Sequence, residues 1–98
     1  MGIILTNAEF GAHVQGGVML GYRARLHWGN APGGAWDTAS PEISRSEWRR
    51  LVADCAPSAT AAATELAAVW PQWWASLTSS QQAVVADGMY AFAVVETA

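Results

Sequence analysis

From Val18 to Trp28 the chain alternates without a break: Val18, Leu20, Tyr22, Ala24, Leu26 and Trp28 fall on one side of an extended backbone, and Met19, Gly21, Arg23, Arg25 and His27 on the other. A period of two sustained over this run does not fit one face of a helix and specifies a half-buried strand, its even residues toward a core.

That strand needs a partner, and the nearest lies upstream, where Phe10, Ala12 and Val14 alternate with Gly11, His13 and Gln15. The two runs meet at Gln15-Gly16-Gly17. A two-residue Gly-Gly turn would set Val14 opposite Met19 and mix the two faces. A three-residue loop sets Val14 opposite Val18, Ala12 opposite Leu20 and Phe10 opposite Tyr22, and is the register expected. The competing reading starts a helix at the capping box Thr6-Asn7-Ala8-Glu9 and makes the chain all-α. Gly11, Gly16 and Gly17 would each cost such a helix about 0.8–1 kcal/mol relative to alanine, so the hairpin is preferred.

The second half reads differently. Gly29-Asn30-Ala31-Pro32-Gly33-Gly34 permits positive φ or stops regular structure at every position, and marks a loop over about 29–40. At Ile43-Ser44-Arg45-Ser46-Glu47-Trp48 two helix-start signals coincide. Ser44 and Glu47 form a capping box, and Ile43 and Trp48 a hydrophobic staple. The helix that follows buries Trp48, Leu51, Val52 and Cys55 and turns Arg45, Arg49 and Arg50 outward, until Pro57 ends it. Ser58 caps a second helix in which Leu66, Trp70, Trp73 and Leu77 keep helical spacing across Pro71, so a kink or break is expected at 70–71. Thr78 and Gln81 cap a third, from about Ser79 to Val95. Its apolar residues Val84, Val85, Gly88, Met89, Tyr90, Ala91, Phe92, Val94 and Val95 run nearly all round, which suits a central helix or one shared with a second copy in a homodimer, Gly88 permitting close approach.

The expected architecture is α+β: one domain over residues 1–98, with an N-terminal β-hairpin (about 8–28) packed on a three-helix C-terminal bundle (about 44–96). Composition agrees that the chain folds, since only 13% of it is charged and 52% is apolar. The longest weakly polar stretch, Ala83 to Val95, contains Asp87 and is too short for a bilayer span, and Met1 to Leu5 lacks the basic start of a signal peptide, so no membrane partner and a cytoplasmic location are expected.

Chemistry is sparse. His13, His27, Asp37 and Cys55 are the residues with metal-ligand chemistry, but their spacing matches no metal motif, so no metal and no cofactor are expected. Cys55 falls on the apolar face of its helix, where a thiol behaves as a small hydrophobe rather than a nucleophile, and the Gly-Gly pairs lack phosphate-loop spacing. The chain is therefore read as not an enzyme. All five cations are arginines, and all lie in the first fifty residues with four carboxylates; the remainder has four carboxylates and no base, for a net charge of −3. That balance supports neither DNA mimicry nor a strong grip on phosphate.

Two surfaces remain. Arg23, Arg25 and His27 on one strand face have the cations of a nucleic-acid platform. Six tryptophans are more than a core of this size buries completely, and Trp74 is turned ~100° from Trp73, so an exposed Trp36 or Trp74 near Arg45, Arg49 and Arg50 would make a hot spot for another protein. The expected function is a small non-enzymatic protein-binding protein, an inhibitor, adaptor or assembly subunit of the kind encoded by phages and mobile elements against host defence or CRISPR systems. The alternative is a nucleic-acid or small-ligand binding module using an Arg/Trp surface.

Overall fold

The tertiary structure, a computed structural model, describes residues 5–29 and 36–98. It is α+β, with strands first and helices after: β1 (Leu5–Gln15), β2 (Val18–Trp28), β3 (Trp36–Ala39), α1 (Arg45–Cys55), α2 (Ala59–Val69), α3 (Pro71–Ala75) and α4 (Ser79–Thr97). The strands form one antiparallel sheet in the order β1-β2-β3.

The hairpin forms where the alternation places it, but its turn differs from the expected three-residue loop. Gln15 pairs with Val18 and Val14 with Met19, so Gly16 and Gly17 alone make the connection, at φ 59° and 78°. Positive φ at both central residues is what a type I′ turn requires, and its twist matches that of the strands. The face-mixing that argued against this turn is cured one residue later by a bulge. Leu20 is the extra residue, after which His13 pairs with Gly21, Ala12 with Tyr22, Phe10 with Ala24 and Ala8 with Leu26. One inserted residue brings the even positions of both strands back onto a single face.

That face closes on the helices. Ala24, Leu26 and Trp28 are buried. The Phe10 ring lies beside Phe92 of α4 (centroids 5.8 Å apart), Phe92 beside Trp48 of α1 (5.9 Å), and Trp48 stacks on Tyr22 of β2 (5.6 Å). Gly88 faces this cluster: a Cβ there would stand 3.6 Å from the Phe10 ring. One contiguous core unites these residues with Leu51, Val52, Leu66, Trp70, Trp73, Val85 and Met89.

The segment expected to be loop contains a strand. Trp36–Ala39 pairs with Arg25–His27, and the next residues stay on the same edge of β2: the Ser40 amide donates to the Ala24 carbonyl, and Tyr22 and Ile43 exchange amide-to-carbonyl bonds of 2.9 and 2.8 Å. The Ala24 amide donates to Ser40 Oγ at 2.8 Å, which accounts for a buried serine. Four residues are too few to show alternation; only the available edge of β2 specifies them.

The helix boundaries follow their caps. Ser44 Oγ accepts from the Glu47 amide at 3.3 Å, and Thr78 and Gln81 form the equivalent box on α4. Ser44→Ala is expected to lower stability by about 0.5–2 kcal/mol, read as a shift in denaturation midpoint. The break at Pro71 is present. Trp70, at φ −127° and ψ 65°, ends α2, and Pro71 opens the one-turn α3 as its first residue, where a missing N–H costs nothing.

Candidate functional site

The helices underlie only part of the hairpin, from Leu5 to Phe10 on β1 and from Tyr22 onward on β2. The hairpin end projects past them. Val14, Val18, Met19 and Leu20 are accordingly 58%, 59%, 48% and 46% exposed, although alternation had assigned Val18 and Leu20 to the buried face. Val18 pairs with Gln15 ahead of the bulge and so takes the outer side, against that assignment, while Val14 and Met19 pair on the inner side beyond the reach of the helices.

The outer face of the sheet carries the odd residues. Glu9 stands opposite Arg25, Gly11 opposite Arg23, and His13 opposite Gly21. Gly11 has no side chain, so these neighbours enclose a shallow depression of about 250 Å³ lined by Glu9, Gly11, His13, Arg23 and Arg25. Glu42 reaches into the same group, accepting from His13 Nδ1 and lying 3.6 Å from an Arg23 guanidinium nitrogen. It can do so because Gly21 leaves the space. A Cβ on Gly21 would lie 2.9 Å from Glu42 Cβ and 3.1 Å from the Ile43 carbonyl oxygen. Two glycines thus let a carboxylate from beyond β3 cross β2 and reach β1, a link no sequence pattern announced.

Of the residues singled out for nucleic-acid contact, Arg23 and Arg25 meet in this depression, while His27 lies further along β2, outside it. The two arginines are balanced there by Glu9 and Glu42. The α1 arginines are all exposed, and among the described residues none makes an ion pair. They do not share a pocket: Arg50 borders the α1/α2 groove beside Glu47, Asp54 and Glu65, and Arg49 the α1/α4 groove beside Glu96 and Thr97. Trp74, on α3, is half-buried against the core and lines neither groove. The Trp36 side chain lies outside the described residues. Of the five tryptophans whose side chains are described, Trp28, Trp48, Trp70 and Trp73 are buried and Trp74 is half-buried.

Cys55 is fully buried, and that burial, reinforced by Glu65 and Asp54, pushes its thiol up to about 12. It is protonated at neutral pH. Because the folded value lies above the unfolded one, alkali withdraws the proton from the unfolded chain first, and stability falls as pH rises from about 8.5 toward 12, by up to ~1.4 kcal/mol per unit. Cys55→Ala is expected to remove that component of the slope, checked by denaturant titration at several alkaline pH values. Among the described residues no group of three or more His, Cys, Asp or Glu side chains is placed to hold a metal ion, and no helix is long and apolar enough to cross a membrane. Comparison with family models, with curated proteins and with solved structures finds no match to this chain.

Proposed function

We propose that this chain is a non-enzymatic protein-binding protein that docks the projecting end of its hairpin against a partner, as an inhibitor, adaptor or assembly subunit of the kind phages direct at host defence. The observation that carries this reading is the exposure of Val14, Val18, Met19 and Leu20 together at the end of a well-paired hairpin. A clustered apolar surface of this kind, bordered by polar groups, is characteristic of contact sites. Arg23, Arg25, Glu9, His13 and Glu42 supply the border. The partner's complement is an apolar recess with both acceptors and donors at its rim.

Nucleic acid is the weaker reading, because Glu9 and Glu42 offset the charge of the strand-face arginines. A second protein-binding reading uses Arg45, Arg49 and Arg50, favoured by their exposure and lack of ion pairs among the described residues. Binding to the partner, identified by capture with nuclease present, distinguishes these readings. Met19→Asp with Leu20→Asp is expected to weaken it by at least about tenfold, and Arg45→Ala, Arg49→Ala and Arg50→Ala by less than about twofold. The reverse pattern moves the interface to α1, and a steep salt dependence moves it to phosphate.

A further inference from the structure

β1 is an edge strand, and among the described residues nothing pairs with its outer side. Proteins usually blunt such an edge with lysine, proline or a short strand. This one is eleven residues long and contains neither residue type. We infer that the outer edge of β1 is the site of a second copy of this chain, paired antiparallel about a two-fold axis at Gly11 to continue the sheet through both subunits.

The register follows from geometry and charge. Gln15 and Val18 form the hydrogen-bonded pair that closes the two-residue turn, so the odd residues of β1 direct their amides and carbonyls toward β2 and the even residues direct theirs outward. Two copies can therefore bond only through even residues. Setting Gly11 on the axis pairs Phe10 with Ala12 of the other copy and Ala8 with Val14, a large side chain beside a small one each time. On the outer face it pairs Glu9 with His13 and, by symmetry, His13 with Glu9, so opposite partial charges meet twice. Moving the axis to Phe10 or Ala12 places Glu9 against Gly11 or Gln15 and loses both contacts. The edge is complementary to itself in one register.

The flank below agrees. Gly88 of α4 faces Phe10, and Phe92, ~40° round the helix from it, reaches Trp48 of α1. Val84, Ala91 and Val95 are displaced ~20–60° the other way, beneath the open edge, and Val84 lines a depression with Leu5 of β1. Val84 and Val95 are 48% and 73% exposed. In an antiparallel pair Val84 would face Val95 of the other copy, with small Ala91 where the helices approach. The dimer would send its two hairpin ends in opposite directions, roughly 30–40 Å apart at ~3.4 Å per residue, independently of what they bind.

Sedimentation equilibrium of the full chain at high micromolar concentration tests this, and a dimer is expected. Ala12→Pro removes one outward amide and none that faces β2, and is expected to weaken association at least about tenfold while the circular dichroism is unchanged. Should that variant fail to fold, Glu9→Cys with His13→Cys decides. Within one strand those positions are ~14 Å apart, too far for a disulfide, whereas across the axis their Cα atoms lie ~4.5 Å apart, so mild oxidation should give a covalent dimer. A wild-type monomer at that concentration overturns the inference. So does a dimer that a folded Ala12→Pro leaves intact, or one that the cysteine pair does not trap.

Discussion

Replacing Leu66 by alanine is expected to lower stability by about 2–5 kcal/mol and the melting temperature by roughly 10 °C or more. Leu66 is fully buried on α2, the helix that packs against both α1 and α4, so its removal opens a void that three helices share. The spread in expected loss reflects how far those helices can settle into the void. Total stability for a chain of this size is on the order of 5–15 kcal/mol, so the variant should remain folded at room temperature but near its limit. Thr60→Ala on the same helix is the comparison: Thr60 is exposed, and its loss should shift the midpoint by less than about 0.5 kcal/mol. Equal midpoints for the two variants would mean that the core does not centre on α2.

The helical half was legible because its signals are local. A capping box, a hydrophobic staple and a proline each act within one turn, so Ser44, Thr78 and Pro71 set boundaries that tertiary packing had no reason to move. The strand face of β2 was legible for the same reason, since Ala24, Leu26 and Trp28 alternate and are buried together. The register was not. Face-matching considered only unbroken ladders, and a bulge at Leu20 satisfies both the favoured Gly-Gly turn and the common face. β3 was missed because its pairing is specified by β2 and by Ser40, not by any pattern within Trp36–Ala39.

The candidate surfaces divide along the same line. Arg23 and Arg25 could be placed on one face by counting, and the structure sets them side by side. That Glu42, far off in sequence, would share their depression depends on the course of residues 40–43 along β2, which composition and periodicity do not encode. Exposure of the hairpin end was equally hidden, because it depends on the length of β1 and β2 relative to the helices beneath them. At α1 the helix turns Arg50 and Arg49 toward different grooves and Trp74 borders neither, while the Trp36 side chain lies outside the described residues.

Gly21→Ala is expected to destabilise the protein by about 2–6 kcal/mol, a loss out of proportion to one methyl group. Two effects add. Gly21 adopts φ 152°, a backbone conformation that costs a side-chain-bearing residue about 1–3 kcal/mol, and the new Cβ would overlap Glu42 Cβ and the Ile43 carbonyl oxygen, where overpacking costs a further 1–3 kcal/mol. Neither obstacle is the free end of a side chain. Glu42 Cβ and Ile43 are held by the Tyr22–Ile43 backbone bonds, so relief requires residues 41–43 to lift from β2. Lifting them withdraws the Glu42 carboxylate from His13 and Arg23, and the outer face loses the side-chain link between β1 and β2. Thermal melts measure the first effect, and the NMR shifts of the His13 imidazole measure the second. Glu42→Gln separates them, since it leaves the backbone in place and should change the His13 signals with a stability loss below about 1 kcal/mol, as for an exposed pair. If Gly21→Ala melts with the parent, residues 41–43 do not cross as closely as the structure places them, and the route by which Glu42 reaches β1 must be different.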